Sequence, residues 1–165
     1  MDVWIKKIVG ALSHAYCQGA GSESLLITAL GNAYSDTART RRWPTFQDVV
    51  QILDNQPAKG RKGMWMDSAR RAIGSLTTGN AGEAFCPKTS MDMARLLSES
   101  VILELDLLNQ AEQTFLSESL LLWLIQYRMN NNENREVLQH AVIIEEAHHL
   151  LKAPQNMAAE GEPFL

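Results

Sequence analysis

The stretch "SVILELDLLNQAEQTFLSESLLLWLIQYRMNNNENREVLQHAVIIEEAHHLL", Ser100 to Leu151, decides how this chain is read. It opens on a short apolar run, Val101–Leu105, of strand type and too short for a helix of its own. Asn109 and Glu112 follow, three apart as an N-cap and its reciprocal partner, and predict a helix running to about Met129. The centre of that helix, Leu120–Ile125, is apolar almost all round, which predicts burial on more than one side. "NNNENRE" reads as a polar turn, and "HAVIIEE" as a second short apolar run. Strand, crossover helix and strand make a βαβ unit, with parallel strands and a right-handed connection. Neither run alternates with polar residues, as expected of a sheet covered on both faces.

Working outward, the first half reads as helices separated by turns. Trp4, Ile8, Leu12, Ala15 and Tyr16 fall at helical spacing, and "CQGAGS" ends that helix. Ser22 is expected to cap a second helix with a stripe of Leu25, Leu26, Leu30, Ala33 and Tyr34. Thr45 stands three residues before Asp48 and predicts a capping box ahead of Phe46, Val49, Val50 and Leu53. After "PAKGRKG" comes a fourth helix with Trp65, Ala69, Ala72, Ile73 and Leu76 on one side. A short helix over Met91–Leu97 is expected at the junction. The expected fold class is therefore α/β and mostly helical. Residues 1–88 form a helical subdomain, and residues 89–165 a βαβ segment.

The 165 residues suit about one domain with a real core. Charge is unevenly spread over the net −4. Residues 39–71 hold eight Lys/Arg against three Asp, a local +5, and residues 97–165 hold three Lys/Arg against eleven Asp/Glu, a local −8. Cys17 and Cys86 match no metal or redox spacing and read as two reduced thiols. No signal-peptide pattern stands at the start, and the longest apolar run, "LLLWLI", is far short of a membrane span. These features predict a soluble, cytoplasmic chain without a membrane partner.

Functional groups of a parallel sheet collect at the carboxyl ends of its strands, where Glu145 and Glu146 stand in this reading. Neighbours on a strand point to opposite faces unless the backbone is already turning, so adjacent acids can hold different roles. One can anchor a hydrated magnesium ion and the other can polarise a water molecule. That division suits phosphoryl transfer, where catalysis is mostly positioning and charge stabilisation. The bland counterpart is an apolar run leading into a solvated loop.

The run "VIIEEAHHLL" resembles the Walker B motif of HerA-FtsK-type DNA-pumping ATPases, the family of the archaeal bipolar DNA helicases. "VILELDLLNQAEQTFLSESLLLWLIQYR" is similar to the strand and helix that precede that motif, and "PTFQDVVQIL" stands where the family has an inserted helical segment. The likeness is strong over residues 100–151 and loose before them. It implies a RecA-like P-loop fold, ATP and Mg²⁺ as cofactors, double-stranded DNA as cargo and a homo-oligomer, hexameric when whole. It also implies that Glu145 takes the magnesium side, Glu146 activates water, and His148 lies near the γ-phosphate or a subunit boundary. The phosphate-cradling G-x-x-x-x-G-K-[ST] is absent: "GAGSESL" lacks the lysine and "KGRKGMW" lacks the Ser/Thr. The chain also reaches "EGEPFL" soon after the acidic pair. It therefore reads as an internal fragment of a larger ATPase, inactive alone. A non-catalytic helical protein-interaction module is the alternative.

Two further clusters have weaker readings. His140, His148 and His149 suggest metal, but His148 and His149 are adjacent and cannot both face one ion from a regular helix. Arg39, Arg41, Arg42, Lys59, Arg61, Lys62, Arg70 and Arg71, with Trp43 and Trp65 nearby, suit a nucleic-acid surface. They suit equally a solvated face or a contact with an acidic neighbouring subunit.

Overall fold

The computed structural model describes residues 2–37, 41–87, 93–130, 136–138 and 140–149. Helix α1 (Asp2–Tyr16) carries Asp2 in its first turn and His14 in its last, the charge order its dipole favours. Cys17 then adopts a φ of 50°, the left-handed position that closes many helix ends. Helix α2 (Ala20–Ser35) starts three residues earlier than its sequence suggests. Gly19 is its N-cap, and Ser22 is buried within the first turn, where its hydroxyl donates to the Trp65 carbonyl at 3.2 Å. That bond joins α2 to the helix that carries Trp65 instead of capping α2.

Helices α3 (Phe46–Asp54), α4 (Arg61–Ser75), α5 (Gly79–Phe85), α6 (Met93–Ser98) and α7 (Gln110–Asn130) follow, and a 3₁₀ turn spans Ala147–His149. α1 packs on α2 and α7, α2 on α3 and α4, and α3 on α4. Leu12, Leu26, Val49, Leu53, Met66 and Ile73 fill the centre. The predicted stripes are one position out in places: Ile5 and Val9 of α1 are buried where Trp4 and Ile8 are only half-buried. In α4 the predicted Ala69, Ala72 and Ile73 are buried, but it is Met66 that joins them while Trp65 stays 36% exposed. A Cβ on Gly21 would stand 2.2 Å from Cδ2 of Trp65, so the missing side chain at Gly21 is what lets α2 and the indole meet.

Both predicted capping pairs form. The Asn109 amide donates to Oε2 of Glu112 at 2.9 Å, and the Glu112 amide donates to Oδ1 of Asn109 at 3.1 Å. Glu112 is buried, and its Oε1 accepts a 2.7 Å bond from Ser75, whose Oγ accepts from Tyr16. This chain of hydroxyls and a carboxylate ties α1, α4 and α7 together. Burial pushes the Tyr16 phenol above its ordinary pKa, against the opposing effect of the Ser75 hydrogen bond.

At the start of α3, Thr45 donates to Oδ2 of Asp48 from its amide at 2.7 Å and from its hydroxyl at 2.9 Å. Arg42 grips the same carboxylate through both terminal nitrogens, at 2.6 and 2.9 Å. Arg42 above all, with help from Thr45, holds the Asp48 carboxyl down from 3.8 to about 2. A depressed acid stabilises the fold above its unfolded pKa, and loses that contribution as pH falls through the folded value. Asp48→Asn should therefore be less stable than the parent by roughly 1 kcal/mol at neutral pH. Thermal melts should show the gap closing between about pH 4 and pH 2. A gap unchanged at pH 2 would detach the effect from ionisation.

The predicted βαβ unit is not formed: among the described residues there is no strand. Val101–Leu105 and His140–Ile144 are neither helical nor paired in a sheet. Ile102 is 89% exposed and Ile143 is 90% exposed. The α/β class is thus overturned, and the described fold is all-helical. A pair of parallel strands is marginal by itself and needs cover on both faces. Among the described residues they find one long helix and no third strand. The burial predicted for the centre of α7 fails for the same reason: residues 120–124 are half-buried and Ile125 is exposed. α7 packs chiefly on α1, and only its N-terminal turns also reach α3, α4 and α5. Its buried end is the N-terminal one, where Phe115 enters the same core as the helices before residue 88.

Candidate functional site

The acidic pair sits at the tip of the second apolar run. Glu145 and Glu146 form a turn and are both exposed. Glu146 has a φ of 51°, left-handed backbone that costs a non-glycine residue on the order of 1 kcal/mol. The 3₁₀ turn then brings Nδ1 of His148 to 3.1 Å from Oε2 of Glu146. Two of the predicted site residues are therefore in direct contact, with Glu145 next to them in the chain. His140 is exposed, and the side chain of His149 lies outside the described residues. The donor set suits a hydrated magnesium ion shared with a phosphate chain, which commonly takes only one or two protein carboxylates. No group of three or more His, Cys, Asp or Glu side chains converges as a metal site among the described residues.

The basic segment divides into paired and unpaired cations. Arg42 is bound to Asp48, while Arg70 meets Asp54 at 3.0 Å, Asp67 at 3.7 Å and the Leu53 carbonyl at 2.8 Å. Those pairs engage all three acids of residues 39–71. Arg39 lies outside the described residues. Arg41, Lys59, Arg61, Lys62 and Arg71 are exposed with no carboxylate in ion-pair reach among the described residues. Lys59, Arg61 and Lys62 flank Gly60, the N-cap of α4, whose first turn has no acidic residue. Cations at a helix start oppose its dipole. The guanidinium of Arg61 lies 5.2 Å from the Trp65 ring centroid.

An apolar cleft of about 330 Å³ opens where α1, α2, α3 and α7 meet, walled by Trp4, Ile8, Tyr34, Phe46, Leu120 and Trp123. Trp123 and Tyr127 stack one turn apart, with centroids 4.9 Å apart. Their spacing of four was visible in the sequence, but its partner wall on α1 was not. None of Glu145, Glu146 and His148 lines this cleft.

Comparison with protein-family models, with curated proteins and with solved structures finds no match. No helix among the described residues is long and apolar enough to cross a membrane.

Proposed function

We propose that this chain is a segment of a cytoplasmic, DNA-translocating ATPase of the HerA-FtsK type and supplies its two nucleotide-side acids. The observation that carries the reading is the run "VIIEEAHHLL", an apolar approach ending in two adjacent carboxylates and an imidazole. Their exposure at one turn and the His148–Glu146 contact support it, because both acids can reach a ligand from outside the helical core. Mg²⁺ bound with ATP supplies the positive charge that phosphoryl transfer requires. Glu145 would hold that ion, Glu146 would accept the proton of the attacking water, and His148 orients the Glu146 carboxylate. The lysine and backbone cradle for the phosphates belong to a further segment, because this sequence has no G-x-x-x-x-G-K-[ST]. The working assembly in this reading is a homo-hexamer on double-stranded DNA.

Two measurements test it. The 165 residues alone should show no ATP turnover, and robust hydrolysis by them would refute the fragment reading. In a polypeptide joining them to a phosphate-binding loop, Glu146→Gln should stop hydrolysis and spare ATP binding. The apolar cleft favours a second reading, a non-catalytic helical interaction module. That reading is left standing if turnover survives Glu146→Gln.

A further inference from the structure

We infer that the start of α4 is one half of a self-association surface, and that its occupant is the segment 101–107 of a second copy of this chain. The basic half presents Lys59, Arg61 and Lys62 beside Met64 and Trp65, all exposed. Trp65 is a shaped contact: Gly21 lies against its ring, and Arg61 reaches over it. Rigid aromatic and arginine groups of this kind dominate binding at protein interfaces. The acidic half reads "VILELDL", with Glu104 and Asp106 set among exposed Val101, Ile102, Leu103 and Leu107. Neither acid has an ion-pair partner among the described residues.

Each half therefore offers what the other lacks, in charge and in apolar area. Within one chain the halves do not pair, so the match is satisfied between copies. The local acids that could have quenched the basic half are engaged by Arg42 and Arg70. A second copy also fits better than nucleic acid. The whole chain is net −4, and the basic cluster is mixed with apolar side chains that match apolar side chains on the acidic segment. Complementary patches of this sort set partner choice and register. The two surfaces differ, so the contact is heterologous and propagates head to tail into rings or open chains. Nothing in the contact requires nucleotide, so it stands or falls separately from the ATPase reading.

Light scattering coupled to size exclusion, without nucleotide, tests it. At about 50 mM salt the mean mass should rise with concentration above the 18.4 kDa monomer, and at about 500 mM it should return to it. Non-specific apolar clustering would strengthen with salt instead and would overturn the proposal. The triple reversal Lys59→Glu, Arg61→Glu, Lys62→Glu should be monomeric, as should the double reversal Glu104→Lys, Asp106→Lys. An equal mixture of the two should associate again, since each then complements the other. All five side chains are exposed, and circular dichroism should show the helical signal unchanged. A parent that is monomeric at every salt, a reversed variant that still associates, or a mixture that stays monomeric overturns the interface. A monomeric parent that binds duplex DNA in a salt-dependent way assigns the basic half to nucleic acid instead.

Discussion

Replacing Phe115 by alanine is expected to remove about 3–5 kcal/mol of stability, the range for a large aromatic deleted from a packed core. Phe115 is 1% exposed and is the deepest apolar point at which α7 enters the helical core. Its ring meets Phe46 of α3 at a centroid distance of 5.7 Å and Phe85 of α5 at 5.3 Å. Phe46 and Phe85 also meet edge-on at 6.3 Å, so the three rings close a triangle. Deleting one removes two aromatic contacts as well as the buried area. A domain of this size holds only about 5–15 kcal/mol in total, so the variant should sit near the edge of unfolding. In urea the midpoint should fall with the slope retained, and Phe115→Leu should recover most of the loss. A shift below about 1 kcal/mol would mean that α7 is not held by this triangle.

What could be read ahead from the sequence was local, and what was missed depended on neighbours. Thr45 with Asp48 and Asn109 with Glu112 were legible as caps because each interaction closes within three residues. The helices themselves were legible from spacing, though the buried face of α1 falls on Ile5 and Val9 instead of Trp4 and Ile8. Ser22 misled because its hydroxyl finds the Trp65 carbonyl, 43 residues away. The apolar runs at Val101 and Val142 misled for a deeper reason. Periodicity can mark a segment that wants cover, but only partners in space make it a strand. Here the described residues provide none, and the same side chains stand exposed. For the candidate site, the adjacency of Glu145, Glu146 and His148 was plain in the sequence. The left-handed turn at Glu146 that brings its carboxylate to His148 was not. The split of the basic segment into Arg42 and Arg70, which are paired, and Lys59, Arg61 and Lys62, which meet no carboxylate among the described residues, also needed coordinates, because net charge cannot say which acids are already engaged.

Glu146→Gln is expected to lower ATP turnover by about 10²–10⁴-fold in a polypeptide that carries this segment with a phosphate-binding loop, the range for loss of a general base. Glutamine keeps the length, the planar end and the ability to accept from His148, and it tolerates the φ of 51° as well as glutamate does. What it loses is the capacity to take a proton. Nucleotide affinity should therefore stay unchanged, and the loss should fall on kcat with KM preserved, the mark of an interaction made in the transition state. Glu145→Gln should differ in kind. Its defect should appear as a raised Mg²⁺ requirement and be partly recovered at high Mg²⁺, because that carboxylate is assigned to the ion and not to the water. His148→Ala removes an orienting contact only, so its loss in kcat should be smaller than that of Glu146→Gln. Equal defects for the two glutamates in both kcat and Mg²⁺ dependence would defeat the division of roles. Full turnover in Glu146→Gln would remove the acidic pair from catalysis and leave the helical core, with its cleft and its divided charge, as the part of this chain that acts.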